Sequence, residues 1–210
     1  MKRYIIFSVF FVTLFFIIMN DLYSASPPQN SFSVDIYGKS FTGQNNSGYT
    51  TSFGGGISYG YSLCDYFMMD ISFGYDCFSF KDSPPPNTDW SMYGFRLGVG
   101  GRYSLYNQFD NPCSWGMNPY VGFGFGGFRI MDSYSYTYMG QKTSQTNSET
   151  HLWINPNIGA DYKINDTYSL DINLGFNSIL PKGNGKAITY FNFGVGGKIK
   201  FWFLKICFNE

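Results

Sequence analysis

Between residues 31 and 201 bulky apolar side chains recur at alternate positions, the side-chain period of a β-strand. Eight such stretches can be marked out. The first sets Phe32, Val34 and Ile36 against Ser33, Asp35, Tyr37 and Lys39, and the second sets Phe53, Ile57, Tyr59 and Tyr61 against Gly54, Gly56, Ser58 and Gly60. The third and fourth set Met69, Ile71 and Phe73 against Asp70, Ser72 and Gly74, and Phe95, Leu97 and Val99 against Arg96, Gly98 and Gly100. In the fifth, Val121, Phe123 and Phe125 face Gly122, Gly124 and Gly126, and the apolar phase then moves to Phe128, which predicts a bulge at Gly127. The sixth carries Leu152, Ile154 and Ile158 with Pro156 interrupting its ladder; the seventh has Leu170, Ile172 and Leu174, and the eighth Phe191, Phe193 and Val195.

The links alternate in length. Those around 64–66 and 165–167 are tight, whereas 43–50, 81–89, 132–150 and 181–186 are longer and polar, and only 106–118 departs from the rule. Short turns at one rim and long loops at the other are the pattern of a membrane-spanning barrel. The expected fold is all-β, an eight-stranded antiparallel up-and-down transmembrane β-barrel.

Composition decides which row faces out. If the bulky row pointed inward, as in a soluble carrier barrel, water would meet mostly Gly, Ser and Asn. With 13% charged and 21% aromatic residues, the chain suits lipid on its bulky row and a narrow lumen on its small one. A net charge of zero offers no basic face for nucleic acid. Lys2 and Arg3, an apolar run over 4–19 and small residues at 24–26 have the order of a secretory signal peptide, expected over residues 1–25, ahead of a barrel domain over 31–208. Export and lipid burial together predict the outer membrane, with its lipids as the first partner.

The Gly/aromatic stretch 120–128, the loop asymmetry and the closing stretch 190–203 give the chain a resemblance to the small eight-stranded OmpA/OmpX-like outer-membrane β-barrel family. The resemblance implies a scaffold whose loops vary, and folding by the barrel-assembly machinery, which reads an aromatic residue at or near the end of the last strand. Here Phe208 precedes Asn209 and Glu210, a departure from that ending.

Several residues carry candidate chemistry. Asp70, Arg96, Arg102, Asp161, Lys163, Asp171 and Lys198 fall on the small row, with Asp35, Lys39, Asp76 and Lys200, and their mixed signs predict salt-bridged lumen charges, Arg96 or Arg102 being the most central cation. Cys64 and Cys113 both lie in turns of the same rim and form a candidate disulfide in an oxidising compartment. The absence of CxxC or Cys/His spacing argues against a metal centre, and no cofactor is expected.

A few barrels similar in strand number are lipid A palmitoyltransferases, which implies His151 as a base with Ser144 or Ser148 and Asp132 as partners, although their surrounding motif is missing. The expected function is therefore non-enzymatic: a structural or surface-interaction role with the long loops as the face for an extracellular ligand or host surface. A narrow, porin-like channel for ions or small solutes is the alternative, and a lipid-modifying enzyme the less favoured one.

Overall fold

The computed structural model describes residues 29–42, 48–82, 87–106, 116–181 and 185–202. They form β1 (Gln29–Phe41), β2 (Ser52–Ser62), β3 (Phe67–Phe78), β4 (Thr88–Ser104), β5 (Met117–Tyr138), β6 (Gln141–Lys163), β7 (Tyr168–Leu180) and β8 (Ile188–Trp202). Every strand pairs antiparallel with its sequence neighbours, and β1 returns to β8 from Gln29↔Trp202 to Phe41↔Tyr190, closing the sheet. Closure satisfies each backbone group within the protein, as hydrocarbon surroundings require. The expected architecture is the observed one.

The alternation resolves into two faces. Ile36, Phe53 and Leu97 are exposed at 70%, 70% and 62%, as are Phe125 and Phe193, whereas Ser33, Lys39, Asp76 and Lys198 on the opposite row are buried. An interior of eight strands holds side chains and little else, so the small row is the one that can be enclosed.

The bulge expected at Gly127 does not occur. Pairing of β4 with β5 runs without a slip from Ser104↔Tyr120 to Thr88↔Tyr136. Phe128 is simply an aromatic residue on the inward row, fully buried, while Gly127 and Arg129 face outward and are exposed. The interruption at Pro156 is real but one-sided. The β6–β7 ladder breaks between Ile154↔Ser178 and Asn157↔Gly175, whereas the β5–β6 ladder passes through Phe123↔Pro156.

The polar stretch expected to be a loop over 132–150 is instead β-structure. Strands β5 and β6 stay paired to Tyr138↔Gln141, and Met139 and Gly140 turn the chain with φ of 49° and 79°. Two successive left-handed residues give the tight turn whose twist matches that of the sheet. Because β7 ends at Leu180, opposite Leu152, the β6 segment 141–151 continues past the barrel with no strand partner on its β7 side among the described residues.

Candidate functional site

The lumen is built in two layers. In the layer toward the short turns, Arg102 lies 3.2 Å from Asp171 and 3.9 Å from Asp161, and Lys198 pairs with Asp161 and stands 3.7 Å from Asp171. The Tyr120 hydroxyl donates to Asp171 at 2.9 Å, and the Arg102 guanidinium sits 4.9 Å from the Tyr120 ring centre. Two cations and two carboxylates thus compensate one another in a shared cluster, the arrangement that makes buried charge tolerable. Asp35 and Asp70 border a cavity of about 110 Å³ beside it, together with Arg96, Arg102 and Asp171, room for a few waters.

Arg96 behaves differently from Arg102. Its guanidinium lies 4.7 Å from the Trp153 ring centre and 5.2 Å from that of Tyr37, so aromatic faces are its near contacts while Asp35 stands across the shared cavity. Lys163 is a rim residue: its ammonium is 2.8 Å from Asp166 in the 164–167 turn, where that hydrogen bond holds the Asp166 carboxyl below its usual range. Of the seven charges expected in the lumen, Arg102, Asp161, Asp171 and Lys198 form one network, Asp70 and Arg96 adjoin it across the cavity, and Lys163 turns away.

The layer toward the long loops is apolar. Phe78, Met92, Phe128, Ile130, Trp153, Ile179 and Tyr190 form one buried cluster, flanked by Phe41, Tyr49, Phe80 and Ile188. The volume comes from glycines on β4: a Cβ on Gly94 would overlap the Phe128 ring, and one on Gly98 would lie 2.8 Å from the Trp153 ring. At the floor of the apolar layer Lys39 pairs with Asp76 at 2.5 Å, both side chains wholly enclosed. The sequence reading does not anticipate this plug. A signal for it exists, because its members share the parity of the small row and fall near the same ends of their strands.

Beyond the plug stands the β5–β6 hairpin, and its two faces differ. The row continuing the lumen side presents Asp132, Tyr134, Tyr136 and Tyr138 across from Asn147, Gln145, Thr143 and Gln141. The row continuing the lipid side presents Ser133, Ser135 and Thr137 across from Thr146, Ser144 and Lys142, and Ser133 and Thr146 share a 2.9 Å hydrogen bond. A row that carries Val121, Phe123 and Phe125 lower down has become hydroxylated, as a surface leaving hydrocarbon must.

Of the residues implied by the enzyme resemblance, His151, Asp132 and Ser148 line one recess at the hairpin's foot, while Ser144 lies outside it. Asp132 accepts from the Trp90 indole at 2.5 Å and His151 Nε2 lies 3.5 Å from Glu149. Ser148, at the edge of the same recess, accepts from Arg129 at 3.1 Å, and Ser144 is exposed further out. Cys64 is buried in the 63–66 turn; Cys113, its candidate partner, lies outside the described residues, as do the leader segment 1–25 and Phe208.

Known proteins place this architecture. Neisserial surface protein A is similar in structure, with a TM-score of 0.50 at 19% identity over 84% of this chain and 98% of its own. Ail, the attachment invasion locus protein of Yersinia pestis, gives 0.54 at 13% identity over 84% and 100%, and a major outer membrane protein from Thermus thermophilus gives 0.54 at 14% over 82% and 99%. At these identities the likeness concerns the fold. No curated protein sequence matches. The profile of the outer membrane protein beta-barrel domain matches residues 11–201, nearly the whole chain, and with the closed eight-stranded sheet and its lipid-facing apolar row it shows that this protein belongs to that family and resides in the outer membrane.

Proposed function

We propose that the protein is a non-enzymatic surface-contact barrel, whose β-barrel is a closed scaffold and whose β5–β6 hairpin is the contact face. The observation that carries the reading is the hairpin itself. It extends to Met139 and Gly140, past the end of β7, and divides into a Tyr/Asn/Gln face and a Ser/Thr face. Tyrosine with small polar residues is a composition suited to adaptable recognition at low entropic cost. The buried aromatic plug and the Lys39–Asp76 pair beneath it favour this scaffold reading over a conducting lumen. Ail has been solved with the heparin analogue sucrose octasulfate, a precedent within this fold for ligand binding.

Replacing residues 133–148 by a short turn tests the reading. The expected result is a barrel that still shows heat-modifiable gel migration but no longer supports attachment of cells displaying it to a surface that the intact protein binds. Unchanged attachment, or conductance steps of the intact protein well above leak in planar bilayers, would refute it.

A further inference from the structure

At the foot of the hairpin, above the plug, lies a recess of about 550 Å³ lined in part by Tyr49, Trp90, Asp132, Asn147, Glu149 and His151. We infer that this recess is a binding site for a guanidinium group, the side chain of an arginine carried by a polypeptide partner; the inference rests on the surface-contact reading above.

The charges are sorted by face. On the hairpin's lipid-side row Arg129 bonds Ser148, and Lys142 lies 3.7 Å from Asp89. On the lumen-side row stand Asp132 and Glu149; among the described residues no Lys or Arg lines the recess itself, and Arg129 borders Glu149 and Ser148 from an adjoining hollow. The two charged side chains that border it are both carboxylates, beside the neutral Asn147 and Ser148. Asp132 receives only the Trp90 indole N–H among the described residues, and Glu149 is three-quarters exposed with His151 Nε2 3.5 Å away. If Nε2–H points to Glu149, Nδ1 is left as an acceptor; it is buried and has no hydrogen-bond partner among the described residues. The His151 side chain as a whole is nine-tenths buried.

Two carboxylates beside aromatic faces favour a cationic ligand that donates hydrogen bonds. Guanidinium has five N–H donors in a planar fork and no acceptor, and it stacks on aromatic rings. Trp90 supplies such a ring, supported at 3.9 Å by the parallel ring of Phe80 yet 45% exposed, with Tyr49 at the same recess. An ammonium would gain the charge but not the fork or the stacking. Anionic ligands such as sulfated sugars would meet two carboxylates here, so this recess differs in kind from a heparin-type site. A polypeptide source fits the setting, because the exposed tyrosine row and the β7-side edge of β6, unpaired among the described residues, continue directly above the recess and can take up flanking backbone.

The test uses the full-length barrel in detergent at low ionic strength. Acetyl-Gly-Arg-Gly-amide, its citrulline counterpart and methylguanidinium are titrated, with heat by calorimetry and the shift of the Trp90 indole N–H resonance as readouts. The arginine peptide is expected to bind saturably, to shift the Trp90 resonance and to weaken at raised salt, while the citrulline peptide binds at least about tenfold less tightly. The double substitution Asp132→Asn with Glu149→Gln, checked for heat-modifiable migration, is expected to weaken the arginine peptide by about tenfold or more. Equal binding of arginine and citrulline peptides, an unmoved Trp90 resonance, or full affinity in the double variant would overturn the site. Methylguanidinium binding as tightly as the peptide would overturn the polypeptide source. Loss of attachment in the hairpin-shortened barrel is a separate measurement, so the surface reading can stand while this inference fails.

Discussion

The Lys39–Asp76 pair offers a quantitative test of how the lumen is held. Its side chains have no solvent exposure, and Lys39 Nζ lies 2.5 Å from Asp76 Oδ1. Replacing Asp76 by Ala strands the ammonium. What remains is the Cys77 carbonyl at 3.4 Å, the Phe78 ring centre at 4.7 Å and that of Tyr190 at 5.5 Å. Removing one partner of a buried pair costs about 3–5 kcal/mol, and the aromatic contacts, present in parent and variant alike, leave that figure unchanged. The Tyr37 hydroxyl also loses its 3.0 Å bond to Asp76 and keeps only the Gly55 carbonyl at 3.4 Å, a further loss of about 1 kcal/mol. The expected destabilisation by Asp76→Ala is therefore about 4–6 kcal/mol. Lys39→Met should also destabilise, because it leaves an enclosed carboxylate. The double replacement Lys39→Met with Asp76→Leu should return to within about 1 kcal/mol of the parent or exceed it, since Phe78 and Tyr190 offer apolar surroundings. Urea unfolding in lipid vesicles, followed by tryptophan fluorescence, measures all four proteins. A single variant within about 1 kcal/mol of the parent, or a double variant as damaged as the two singles combined, would refute the argument.

Other substitutions probe the remaining layers. Phe125→Arg on the lipid row should destabilise by about 2–4 kcal/mol in the same vesicles, whereas Thr146→Arg on the hairpin should be nearly neutral. Gly94→Leu should cost about 1–3 kcal/mol through its clash with Phe128 and should be partly rescued by Phe128→Ala, as read by thermal gel-shift midpoint. Met139→Asn places at the turn a residue that tolerates the left-handed conformation better and should stabilise the hairpin by about 1 kcal/mol, seen as slower amide exchange over 133–146 without a change in global unfolding. A Cys64–Cys113 disulfide predicts that two thiols resist alkylation until reductant is added, and full labelling without reductant would exclude it.

The lipid face is legible in the sequence because two independent signals agree there: period-two alternation and a strong size contrast between Phe125 or Leu97 and the glycines beside them. Membership of Arg102, Asp161, Asp171 and Lys198 in the lumen follows from parity. Their pairing does not, because it depends on the stagger between strands that are far apart in sequence, as Arg102 and Asp171 are. The plug is hidden because Phe128 reads as a slipped lipid-facing residue, although an unbroken register with an inward aromatic is equally consistent with the sequence. The hairpin is hidden for a different reason. Its strands lack the apolar row that marks the barrel, so Tyr134, Tyr136 and Tyr138 look like loop residues despite their strict alternation, and Met139-Gly140 lacks the Asn-Gly or Asp-Gly turn signature.

These two omissions have a common physical origin and together locate the membrane. Along β5 the outward row is apolar at Val121, Phe123 and Phe125, charged at Arg129 and hydroxylated from Ser133, while the inward row is small at Gly122 to Gly126, aromatic at Phe128 and acidic at Asp132. Both rows change character at about the same height. A tilted strand crosses the hydrocarbon in about 9–11 residues, which fits the distance from Pro119 to Arg129 and, on the neighbouring strand, from Tyr93 to Tyr103. The plug therefore sits at the level where the outward row leaves lipid, filling the barrel interior at that height. Above that level hydrocarbon constrains neither row, and it is there that the sequence places its tyrosine ladder, a β6 edge unpaired among the described residues, and its carboxylate-bordered recess.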